Sequence, residues 1–394
     1  MESKIGKLIF KYIVLTIIPV TIFHQKGVEA SNEPIIRVLI EKKNNLRVRS
    51  DSSIPLIIKG NKFYNKRVKG LTIKSINNKK VLFFDKDPSK LFDLKKNSFL
   101  IKSFDKRGIW VGDKRYSGII NIILKENRIY AVNKIGIEQY LTSVVGAEMP
   151  YKWPLEALKA QAIASRTYAL KKKGNTLFDI DSTQKDQVYK GLESRTLRTI
   201  KAVRATRSLV MTHNNKLINA LFHSSSGGQT ENSEDVWSNK YAYLRSVKDF
   251  DINNPKLYWK KSFSNNKLKK LFPLIGGIDK IRILKKTSTG RIKLLEITGE
   301  NGSKDILGKE FRSKLELKST LFNYSFVNTN SQEGINLKNS SKDYFTIAGK
   351  GSGHAVGMSQ WGAKYMATKG ANADRILKHF YTGIKIKPFK NIYK

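Results

Sequence analysis

The sequence predicts an α+β fold, on three observations. Short alternating segments crowd the first third: Ile35-Ile36-Arg37-Val38-Leu39-Ile40, Leu71-Thr72-Ile73 and Val81-Leu82-Phe83-Phe84. This is the two-residue period of half-buried strands, and Gly, Asn and Asp punctuate it. A helical pattern then runs from Pro154 to about Lys173, and strand-like and helical segments alternate to the end of the chain. With 394 residues, 40% of them hydrophobic and 10% aromatic, the chain has material for real cores and for two or three domains.

The first 30 residues read as an address. Lys4, Lys7 and Lys11 lead into the apolar run Tyr12 to Phe23, and Val28-Glu29-Ala30 places small residues before a cut at Ser31. Positive, apolar and small-residue parts in that order make an export signal. The run is short against the ~20 residues of a membrane span. Cleaved or kept as an anchor in contact with the membrane, the segment places the rest of the chain outside the cytoplasm. The expected localisation is periplasm, wall or outer membrane face.

Residues 31–118 are expected as a β-rich region, and 119–394 as a second unit with an α+β insertion at about 250–345. Residues 119–134 continue as strands around an Asn127-Arg128 turn. Ile137 to Ala147 is a helix candidate, broken at Glu148-Met149-Pro150. Pro154 suits the first position of the next helix, and Gly174 its end. A helix followed by a strand fits 195–211. The Ser-, Gly- and Asn-rich stretch 219–237 reads as a functional loop. Ile281 to Leu284 and Ile292 to Ile297 flank Ser288-Thr289-Gly290-Arg291, a hairpin signal. The Gly-rich loop 349–354 precedes a helix of about 359–369. It lacks the Gly-Lys-Ser/Thr ending of a nucleotide loop.

On a helical wheel, Lys159 and Arg166 fall in the middle of an apolar arc that holds Leu155, Leu158, Ala162, Ile163, Ala169 and Leu170. A cation there either snorkels to water or needs an anion. Glu148 is the nearest candidate anion by sequence.

These residues have a familiar setting. The stretch Glu138-Gln139-Tyr140-Leu141 through Gly146-Ala147-Glu148-Met149-Pro150, and then Pro154 to Leu170, resembles the core of the stage II sporulation protein D family (SpoIID/LytB). Three further blocks match in order: His223 to Glu231 with Val236-Trp237, Phe311-Arg312 with Leu315 to Phe322, and Gly351 to Ala363. Ile376-Leu377 and Phe380-Tyr381 follow. The resemblance implies an exported lytic transglycosylase that cuts MurNAc-GlcNAc bonds of peptidoglycan and leaves 1,6-anhydro ends. Sporulation members act on strands stripped of stem peptides. It implies Glu148 as catalytic acid, supported by Lys159 and Arg166. It further implies a glycan groove of His223, Ser224, Ser225, Gly227, Gly228, Thr230, Glu231, Ser352, His354, Gln360 and Trp361. The LytB side of the family implies an alternative, a non-catalytic glycan-binding wall protein that enhances an amidase partner.

The chemistry suits these residues. Hydrolysing glycosidases use two carboxyl groups, and the core motif offers one. A transglycosylase needs only one, because the substrate's own C6 hydroxyl is the nucleophile. Glu148 then requires a raised pKa, which the apolar Val144, Val145 and Met149 favour. A facing carboxylate from Glu231, Glu234 or Asp235 would return the case to hydrolysis. Some family members hold zinc with His and Cys in the 223–231 loop. Here Ser226 stands in the loop and the chain has no cysteine, so His223 is a poor zinc ligand and no cofactor is expected.

The net charge is +42, from 74 Lys and Arg against 32 Asp and Glu. The charge is spread along the chain. It fits anionic wall polymers or lipid, and equally a Lys-, Asn- and Ile-rich coding bias. Nucleic acid is not expected as a partner, since no binding module is present and export conflicts with it.

Overall fold

The computed structural model describes residues 33–51, 53–60, 63–76, 79–84, 98–174, 177–327 and 344–391. The export segment expected over 1–30 lies outside them. Among the described residues, no helix is long and apolar enough to cross a membrane. The architecture is α+β, as the sequence predicts.

Two sheets organise the first part of the chain. One has seven strands, in the order 180–181, 35–43, 128–136, 119–125, 98–102, 56–60, 63–68. The other has five: 79–84, 70–76, 45–49, 109–111, 114–116. The boundary expected at residue 118 falls inside the larger sheet. Strand Ile35–Lys43 lies antiparallel against Arg128–Gly136, and Ile36, Val38, Ile120, Tyr140 and Leu158 belong to one continuous core. Alternation identifies strands but not their partners, so the sequence did not reveal this pairing. The hairpin 119–136 turns on Glu126 and Asn127, one residue earlier than expected. Both have positive φ, 51° and 53°, which suits a two-residue hairpin turn.

Helix α1 (Ile137–Glu148) leaves the last strand of this hairpin directly. Helix α2 (Leu155–Lys172) follows, with Pro154 at its N-cap. From Ala157 to Leu170 every residue except Lys159 is buried. The helix is therefore central rather than amphipathic. It packs against α1, α3 (Leu197–Ala205) and the strand Leu209–His213, and against two C-terminal helices. Thr196 caps α3 by a reciprocal hydrogen-bond pair with Thr199.

A single turn, α4 (Ser233–Val236), leads into the segment expected as an insertion. That segment has its own core, which includes Phe263, Leu268, Phe272, Leu295, Ile297, Phe311 and Phe345. Its elements are α5 (Asn265–Leu271), α6 (Gly308–Lys314) and two three-stranded sheets. In one of these sheets, Lys280–Lys286 pairs antiparallel with Ile292–Gly299 around the expected turn. The chain then returns to the main core through α7 (Gln360–Thr368) and α8 (Ala373–Phe380).

Candidate active site

A cleft of about 820 Å³ opens between the helical core and the insertion. Glu148, the last residue of α1, stands in it beside Ala147, Val188 and Gln360. The helix is fixed tightly there: a Cβ at Gly146 would overlap the Ser194 carbonyl. Met149 is buried and extended, and ends the helix.

The carboxyl of Glu148 has no cation within ion-pair reach among the described residues. Its Oε1 accepts from the Val188 amide at 2.6 Å, and its Oε2 from the Gln360 side chain at 3.4 Å. Burial raises its pKa to about 7 despite these donors and the more distant Lys190. Its place at the negative end of a helix acts in the same direction. Near neutral pH this group can both hold and release a proton.

One other carboxylate lines the cleft among the described residues. Asp186 accepts from the Tyr168 hydroxyl at 2.6 Å and from the Asp181 amide at 2.9 Å, and it lies 3.1 Å from the Lys172 ammonium. Burial acts to raise its pKa, but these donors outweigh it and keep the group ionised. Asn219, His223, Ser224, Trp237, Arg312, Ser352 and His354 also line the cleft. The Trp237 and His354 rings lie 5.1 Å apart.

Burial holds both histidines neutral, and His354 is lowered to about 4 with Arg312 adding to the effect. His223 Nδ1 donates to the Val356 carbonyl at 3.2 Å, while its buried Nε2 has no partner among the described residues. Gly353 lets the 351–354 loop lie against His223. Its φ is 112°, and a Cβ there would come 2.7 Å from His223 Cβ.

Residues 125–213 match the model of the family described as "Stage II sporulation protein". The stage II sporulation protein D of Bacillus amyloliquefaciens is 34% identical over 281 residues, 65% of this chain and 76% of that protein. The chain belongs to the stage II sporulation protein D family. The protein of the same name from Bacillus subtilis is 33% identical over 280 residues, 65% of this chain and 76% of its own length. The amidase enhancer of Bacillus subtilis is 33% identical over 294 residues, 63% of this chain but 40% of that longer protein. Residues 239–357 match a domain of unknown function. Glu148 and the Val188 amide thus fall in the sporulation-protein match, and Arg312, Ser352 and His354 in the other.

Of the groove residues that the stage II sporulation protein D resemblance implied, His223, Ser224, Ser352, His354 and Gln360 line the cleft. The others lie elsewhere. Ser225 and the Gly227 amide donate to Asp251, and Ser226 donates to Asp249, so this loop is held from below by two buried aspartates. Gly228 has an open surrounding and does not line the cleft. Thr230 is buried against Val247. Glu231 is fully buried, accepting from Thr287 and Thr289 and lying 3.7 Å from Arg291. Trp361 packs edge-on to Trp153, with the Lys364 ammonium over its face, and lies partly buried against the core. The tryptophan that lines the cleft is Trp237 instead, alongside Tyr168, Phe222 and Tyr241.

The two cations of α2 also stand apart from Glu148. Arg166 is fully buried and pairs with Glu138, through Nε at 2.8 Å and Nη2 at 2.6 Å, while Nη1 donates to the Leu209 carbonyl. Lys159 pairs with Glu156 at 2.7 Å, one turn away. The wheel identified cations that need anions. It failed on which anions, because the helix is buried on all sides. Glu234 pairs with Arg245, and Asp235 with Lys293 at 2.9 Å, so none of the three acids after the loop faces Glu148. The zinc donors that the resemblance raised are not assembled either. Among the described residues no group of three or more His, Asp or Glu could hold a metal, and the charge nearest the two histidines is cationic.

Proposed function

We propose that this member of the family is a peptidoglycan lytic transglycosylase, with Glu148 as its acid and base. One observation carries the reading: Glu148 is a cleft carboxyl with no cation partner among the described residues and a pKa raised to about 7, while Asp186 is bound on both oxygens. A hydrolase needs a second carboxyl free to activate water or attack the sugar. Asp186, tied to Tyr168, Lys172 and the Asp181 amide, is poorly suited to that task.

Protonated Glu148 gives its proton to the glycosidic oxygen as the bond from the muramic C1 breaks. The muramic C6 hydroxyl attacks C1, and its proton passes to the Glu148 carboxylate. The acid is thereby restored without water. The Val188 amide and Gln360 steady the carboxylate while it is charged. Trp237 offers a sugar platform, and Asn219, Ser224 and Ser352 offer polar groups for hydroxyl and acetamido substituents. The family members named for sporulation and for enhancing an amidase make the wall the expected place of action.

Incubation of the full chain with peptide-free glycan strands, read by mass spectrometry, tests this. Expected are 1,6-anhydro-muramic ends. Reducing ends in their place would indicate hydrolysis. Binding without cleavage would favour the second reading, an amidase enhancer, which rests on the similarity to the protein of that name.

A further inference from the structure

Arg312 stands on α6 of the insertion and reaches the same cleft as Glu148. Its Nε donates to the Leu317 carbonyl at 3.2 Å. Among the described residues its terminal nitrogens have no partner, and no carboxylate lies within ion-pair reach. Other arginines drawn into the fold are matched: Arg166 meets Glu138, Arg245 meets Glu234 and Arg291 meets Glu231. A half-buried cation without an anion is costly, and such groups concentrate at binding sites. Its neighbours do nothing to relieve it, since His223 and His354 are both neutral. The cleft's other cations differ: Lys172 is committed to Asp186, and Lys185 is exposed to water.

We propose that Arg312 reads an anion on the substrate, the lactyl carboxylate of a muramic residue freed of its stem peptide. This rests on the glycan-cleaving reading above. A guanidinium offers two parallel N–H groups in the plane of a carboxylate. A stem peptide turns that carboxylate into an amide, which is neutral and keeps one oxygen. The sugar whose C1 is attacked thus carries the anion that the wall of the cleft lacks. Arg312 is a specificity residue here, separate from the proton transfer at Glu148.

The test measures binding of the full chain to two preparations of the same glycan strands. One has free lactyl carboxylates, and in the other they are converted chemically to methylamides. The wild type is expected to bind the free-acid strands about tenfold to a hundredfold more tightly, the range of a charge-assisted pair. Arg312→Gln should bring the two affinities together, and Arg312→Lys should keep a smaller preference. The wild-type preference should also shrink as salt rises, which needs no variant to fold. A wild-type ratio near one, a ratio unchanged in a folded Arg312→Gln protein, or no binding of either strand overturns the assignment. Cleavage is followed in parallel. Strands bound with the expected preference but left intact would sink the transglycosylase reading and leave Arg312 as the anion reader.

Discussion

The two ends of α1 treat a glutamate in opposite ways. At its start, Glu138 accepts two hydrogen bonds from a fully buried Arg166 and a third from the Ser208 amide at 3.1 Å. At its end, Glu148 has one amide and a distant Gln360, and burial raises its pKa to about 7. The same helix holds both rigidly. The difference lies in the partners: Glu138 is given a guanidinium, and Glu148, among the described residues, has no cation within ion-pair reach and a carboxyl that burial pushes up to about 7.

The sharpest way to break this comparison is to remove the exchangeable proton. Glu148→Gln should lower strand cleavage by about 10²- to 10⁴-fold, the usual contribution of general acid-base catalysis, with an unchanged circular dichroism spectrum. Substitution at the other end should act on stability instead. Arg166→Met leaves Glu138 buried without its guanidinium, and is expected to cost about 3–5 kcal/mol in a denaturant titration. If cleavage per folded molecule also collapsed in that variant, the division between the two ends would be lost.

A pH profile sharpens the contrast further. Cleavage by the wild type should fall as pH rises through about 7, as Glu148 loses its proton. Stability should move in the same direction. The folded pKa lies above the unfolded value, so the ionised form is disfavoured in the fold, and stability declines as pH climbs from the usual carboxyl range to about 7. Thermal melts of Glu148→Gln should show a shallower decline, because that variant has no charge to gain. The smallest effect is expected at Lys159. Its pair with Glu156 is one turn apart and partly exposed, so Lys159→Met should cost about 0.2–1 kcal/mol and leave cleavage near the wild-type rate. A hundredfold loss of cleavage there would restore Lys159 to the catalytic machinery.

What was legible in the sequence was local. Pro154 and the apolar spacing gave α2 to within a residue or two, and the 288–291 turn gave its hairpin. The break that ends α1 at Glu148 was legible too, while the choice of that carboxylate came from the family resemblance. Contacts across long separations were not. Glu138 and Arg166 are 28 residues apart, and Gln360 is 212 residues from Glu148. The Val188 amide leaves no side-chain signature at all. Trp361 and Trp237 each sat in a block resembling the family, and nothing local said that Trp361 packs on Trp153 while Trp237 faces the cleft. The wheel misjudged α2 because it assumes a wet face, which this helix lacks between Ala157 and Leu170 apart from Lys159.

The clasp of Arg291 now takes on another meaning. This side chain leaves the insertion and donates to the Ser226 and Gln229 carbonyls of the loop next to the cleft, close to Glu231 with its two threonines. Glu148 and Arg312, which line the same cleft, belong to separately cored parts of the chain. That clasp is one of the contacts that join the two parts, together with the Gly353 amide on the Lys318 carbonyl. Loosening it would leave Glu148, its helix and its hydrogen bonds untouched, while the wall that carries Arg312 lost one of its anchors.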